Sequence, residues 1–163
     1  MTAVGLIKAV SEHVRAGVAN YRLEKDGGGQ KPVTVYEQLI PEEVFENDDA
    51  AEYHPLIGVS LTTLEDDDER SEATLDLTFA VYSEDADGWL DLMNLIETVR
   101  LALLKKKMLA RRYRLVLPLT VELIERQPRP FFYGLMTAKY MMYQPEEERV
   151  NMNGGISSWD LRK

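Results

Sequence analysis

Asp85, Asp87 and Asp91 crowd around Gly88 in the stretch SEDADGWLDLMNLIE. Carboxylates spaced about a glycine are the raw material of a calcium loop. An EF-hand loop needs acids at its first, third and fifth positions, glycine at the sixth and a bidentate glutamate at the twelfth. With Gly88 at the sixth position, Asp85 and Asp87 take the third and fifth, but Ser83 takes the first and Asn94 the twelfth. Both end ligands fail, and the residues before the loop read as a strand rather than a helix. The same acids suit the front of a helix. Asp85 or Asp87 can accept from the free N–H groups of a first turn, and Asp91 lies near the positive end of the helix dipole.

Other chemistry fares no better. DGGGQKP has the glycines of a phosphate loop, but it lies between a helix and a strand, and Lys31 is followed by Pro32 instead of Ser or Thr. His13 and His54 are far apart, and neither has a second histidine at helical metal-binding spacing. No G-x-S-x-G or H-E-x-x-H occurs. Ser60 and Ser83 would need an arranged base, to which nothing points. The chain has no cysteine, so thiolate chemistry and disulfides are excluded. No catalytic, cofactor-binding or metal-ligating residue is expected, and no cofactor.

What remains is charge. Lys105, Lys106, Lys107, Arg111, Arg112 and Arg114 hold about a third of the 19 Lys and Arg of a chain whose net charge is −9. They read either as a helix C-terminus with a solvated loop, or as a patch that docks on an acidic neighbour. Asp66, Asp67 and Asp68 in EDDDERSE supply such an acidic patch on the same chain, so copies can meet one surface against another. Heterologous contacts of that kind close into rings when the rotation permits. Leu90 and Leu101 fall off the main apolar stripe of their helix and join the candidate subunit-interface residues, as does Trp159 near the C-terminus.

The elements that must position these groups follow from periodicity. Thr2 can cap a helix to about Asn20, with Ile7, Val10, Val14, Val18 and Tyr21 on one side. Gly17 on that side allows a close approach to a sheet. VTVYEQLI (33–40) reads as a short strand, and the acidic residues 41–54 as an excursion. LIGVSLTTL and TLDLTFAVY alternate with period two and form an antiparallel pair joined by the long hydrophilic tip EDDDERSE. Residues 88–104 carry Trp89, Leu92, Ile96, Val99 and Leu103 at helical spacing. KKKMLARRYR is a basic connector. Residues 113–126 and 132–144 read as two further strands around the turn QPRPF, and Pro118 marks an edge or a bulge.

The expected fold is α+β. It is a two-layer sandwich with a mainly antiparallel sheet of about four to five strands, two helices on one face, and the order α-β-β-β-α-β-β. Residues 1–145 form one domain, and 146–163 a C-terminal extension that is flexible or docks on a neighbouring subunit. The 163 residues suit a single domain. No apolar run approaches the ~20 residues a membrane helix requires, and the N-terminus lacks a signal peptide's apolar stretch. The acidic balance opposes a general grip on nucleic acid, which needs Lys and Arg to neutralise phosphates. It does not oppose a surface past which DNA slides.

A strand ending in VYSEDADGWLDLMNLIETVRLALL, with its polar acid-and-glycine turn before a helix, and the aromatic turn QPRPFFYGLMTAKYMMY before a closing strand complete the layout as two soft motifs. Over roughly residues 1–145 it resembles the tail terminator, or tail completion, proteins of long-tailed bacteriophages. The resemblance implies a structural virion protein of phage or prophage origin, not an enzyme. It implies a homo-oligomeric ring, commonly a hexamer, that caps the tail tube and offers a surface for head–tail joining. Its implied partners are itself, the tail tube protein and a head-completion or connector protein; DNA passes through without specific binding, and no membrane is involved. The implied location is the phage tail, assembled in the bacterial cytoplasm. An intracellular adaptor domain and a small carboxylate-using enzyme are the rival readings.

Overall fold

Thr2 starts the first helix as a side-chain cap: its Oγ1 accepts from the Gly5 amide at 3.0 Å. Helix α1 (Ala3–Val18) buries Leu6, Ile7, Val10, Val14 and Val18, the stripe its spacing predicts. In the computed structural model the described residues are 2–24, 30–46 and 50–148. After α1 come a two-residue ladder, β1 (Leu23–Glu24) with β2 (Gln30–Lys31), then β3 (Thr34–Glu37) and a one-turn helix α2 (Glu43–Glu46). A turn of 3₁₀ helix (Ala50–Tyr53) leads into β4 (Leu56–Asp66) and β5 (Ser71–Tyr82). Helix α3 (Gly88–Lys105), β6 (Met108–Leu109), β7 (Tyr113–Leu123) and β8 (Phe131–Met142) complete the order.

Among the described residues the main sheet has six strands, in the order β3-β4-β5-β8-β7-β6. The α+β class stands, but the sheet is larger than the sequence suggests and is mixed. β3 pairs parallel to β4, and the basic connector contributes β6 through two register pairs with β7. Two residues are too few to show a period in sequence, so β6 is invisible there. The β4–β5 tip is also shorter than expected. Glu65, Asp66, Ser71 and Glu72 extend the ladder, leaving only residues 67–70 as the turn.

Both long helices pack on one face, and the core lies between. From the strands it takes Ile57, Val59, Leu75, Leu77, Phe79 and Met136, among others; α3 adds Leu92, Leu95, Ile96, Val99 and Leu103. Alternation along β5 and β8 puts every second residue into this layer. Trp89 does not open the α3 stripe as expected; it is 50% exposed. The buried position at the helix start is Gly88, set so close to Phe132 and Ser83 that a Cβ there would overlap them. With Gly88 inward, Trp89 turns roughly 100° away, and Leu95 enters the core in its place.

Two further expectations change. Gly17 approaches not the sheet but α3, where a Cβ would come 3.2 Å from Ala102 Cβ. Beside it His13 Nε2 lies 2.8 Å from the Ala102 carbonyl oxygen and ties the helices together. The aspartates before α3 make no side-chain cap: Asp87 holds the N-cap position without one. The Asp85 and Asp87 carbonyls instead accept from Gly88 N–H at 3.2 Å and Leu90 N–H at 2.9 Å, so backbone atoms close the turn. Pro118 sits where the β7–β8 register shifts between Val116 and Thr120, which meets the expectation of a bulge. Among the described residues no helix is long and apolar enough to cross a membrane.

Candidate interaction surfaces

The sheet brings the basic connector and the acidic hairpin to the same end of the molecule. One register row runs Asp66–Ser71–Met142–Tyr113–Leu109 across five strands. The β4–β5 turn and the β6–β7 turn both project beyond that row. Neighbouring strands are ~4.8 Å apart, so within one subunit the two turns lie at the same end of the sheet, roughly 10 Å apart at their nearest strands, with β8 between them.

The hairpin acids are used locally. Asp67 Oδ1 accepts from the Glu69 and Arg70 amides, both at 2.8 Å. These backbone bonds, helped by the Arg70 charge, hold its carboxyl below the usual range. Asp66 accepts from the Ser71 hydroxyl. Asp68 is exposed at the tip.

On the basic side Lys105 ends α3, Lys106 and Lys107 are exposed, and Arg111 and Arg112 ride the β6–β7 turn. Ala110 and Arg111 have φ of 51° and 56°, and the Arg112 amide reaches the Leu109 carbonyl at 3.0 Å. Non-glycine residues rarely hold such angles, so this turn presents its arginines at a conformational cost.

Between the two turns, on the sheet face away from the helices, lies a groove of about 260 Å³. Met108, Met141, Met142 and Tyr143 line it, and Arg70, Arg112 and Arg114 stand around it with one acid, Glu69. The arginines of the connector stand out in the sequence as a charge run; the methionines and Arg70 do not. The pairing Met108–Arg114–Met141 that brings them together depends on β6, which the sequence hides.

The other end of the sheet is acidic. A cleft of about 740 Å³ is lined by Asp85, Asp87, Asp91 and Glu52, together with Lys31, Arg22 and the buried His54. Its Tyr21 hydroxyl donates to the Asp91 carbonyl at 3.1 Å, and burial, then the Asp91 charge, pushes its pKa up to about 12. The acids are spread over several elements, and among the described residues no cluster of three His, Asp or Glu is placed to hold a metal.

A third surface is apolar. β6 covers only Tyr113 and Arg114 of β7, so from Val116 onward the outer side of β7 has no neighbouring strand among the described residues. Leu117 and Leu123 of β7 and Ile124 just past its end are each about half exposed (51%, 46% and 50%). Leu90 and Leu101 of α3 are exposed too (45% and 54%). Trp159 lies outside the described residues. The alternation of β7 does not reveal this margin in sequence, because the bulge at Pro118 changes which residues face outward. Neither family models nor curated proteins give any match to the chain.

Proposed function

We propose that this chain is a structural assembly protein that self-associates into a ring at the end of a tubular particle, the role of a phage tail terminator. In that role it caps the tail tube and gives the head connector a surface to join. The observation that carries the reading is the margin of β7, where a strand edge without a neighbour among the described residues and the exposed Leu117, Leu123 and Ile124 coincide. An apolar edge of this kind invites pairing with another chain. The opposite edge is β3, four residues long and different in character. Unlike edges favour one-directional contacts, which close into rings when the rotation per subunit permits. The helices-on-one-face layout supports the same reading, as does the acidic balance, which lets DNA pass without sticking.

The test is negative-stain imaging and mass measurement of the purified protein, alone and with tail tubes. Rings with a central hole are expected. Leu123→Asp with Ile124→Asp is expected to leave a folded monomer that no longer assembles. A protein that stays monomeric at high concentration and adds nothing to tube ends would sink the reading.

A further inference from the structure

The geometry points to a specific contact between copies: the arginine-rimmed methionine groove of one subunit receives the acidic α2 segment of the next. This deepens the ring reading and rests on it. The groove offers polarizable, adaptable apolar side chains in Met108 and Met141. Arg112 and Arg114 on its rim are exposed. Its chemistry therefore asks for an acidic segment with a protruding apolar residue.

This chain carries such a segment. Glu42, Glu43 and Glu46 are exposed around α2, as are Leu39 (79%) and Phe45 (43%). The segment is firmly held: Val44 is 1% exposed and packs with Leu56 and Ala80, and Ile40 fills the space above Gly58. It sits on the same outer face as the groove, but at the far corner.

The α2 segment lies over the Ala80–Tyr133 row, and the groove beside the Glu72–Met141 row, eight residues along β5. At ~3.3 Å per residue this is roughly 26 Å. A segment anchored by Val44 cannot cross that distance, so its acids can meet the arginines only on another copy. The groove lies toward the β6–β7 margin and α2 toward the β3–β4 margin, as a one-directional contact requires. The acidic hairpin tip is the poorer partner, because it already lies at the same end of the sheet as these arginines within its own subunit.

The experiment is a charge swap read by analytical ultracentrifugation. Arg112→Glu with Arg114→Glu, and separately Glu42→Arg with Glu43→Arg, are each expected to weaken self-association about tenfold or more, with unchanged circular dichroism. Mixed in equal amounts, the two variants offer one native pairing and one swapped pairing, so the swapped contact is expected to carry their assembly beyond two copies. Met141→Asp, which spares every charge in the pair, is expected to weaken association as well. Reversals that leave assembly intact, or a mixture that fails to recover, overturn this contact and leave the ring reading standing. A wild-type protein that stops at two copies, yet is weakened by each reversal, keeps the contact and ends the ring. A wild-type chain that never associates overturns both.

Discussion

Gly134 of β8 lies directly beneath Ile96 of α3: a Cβ at 134 would come 2.6 Å from Ile96 Cδ1 and 3.1 Å from Leu123 Cδ2. Glycine inside a strand costs conformational entropy, and here it lets the helix settle onto the sheet. Gly134→Ala is therefore expected to destabilise by about 1–3 kcal/mol through overpacking, more than the ~0.5–1 kcal/mol that alanine gains over glycine in a strand. Ile96→Val removes the opposing methyl and is expected to recover part of the loss. A urea double-mutant cycle measures this; strictly additive costs would show that the two residues do not meet.

Tyr140 is fully buried, and its hydroxyl has no hydrogen-bond partner among the described residues. Burial raises its pKa well above the ordinary phenol value. The folded state thus favours the neutral form, while the unfolded chain ionises near ~10. The associated stability is complete below that value and falls as pH rises through the window up to the raised folded value, with Tyr21 acting in the same direction. Tyr140→Phe is expected to be neutral or stabilising by about 1 kcal/mol and to flatten the alkaline decline. Thermal melts across the alkaline range read both effects, and a large destabilisation would contradict the unsatisfied hydroxyl.

Asp67 organises the β4–β5 turn through its two backbone bonds. Its lowered pKa has the opposite linkage. The contribution is present above the unfolded carboxylate value of ~3.9 and is lost as pH falls through the lower folded value. Asp67→Ala is expected to speed amide exchange at Glu69 and Arg70 at neutral pH, with a smaller difference from wild type in acid. Equal protection in both proteins would show that Asp67 does not hold the turn.

Arg15 of α1 reaches the edge strand β3, donating to the Val35 carbonyl at 3.1 Å and to Glu37 Oε1 at 3.0 Å. Arg15→Ala is expected to cost about 0.5–1.5 kcal/mol and to raise hydrogen exchange in residues 34–37, leaving β5 and β8 protected. Arg15→Lys is not expected to restore it fully, because an ammonium cannot match the forked geometry. Uniform exchange across the sheet would argue that β3 is held by β4 alone.

The sequence by itself determined the elements with a sustained period. The α1 stripe, the alternation of β5 and β8 and the α3 core positions Leu92, Ile96, Val99 and Leu103 were legible because a buried face repeats every 3.6 or two residues. Only the tertiary structure decided the rest. A two-residue strand such as β6 has no period to read, and the parallel partnership of β3 with β4 depends on contacts far apart in sequence. The phase of α3 was set by Gly88 against Phe132, which moved Trp89 to the surface. The charged patches were visible as runs of Lys, Arg and Asp, but their neighbourhood was not. Strand order placed the acidic tip at the same end as the arginines and set the α2 acids at the opposite corner, and strand order is fixed by the packing of the whole sheet.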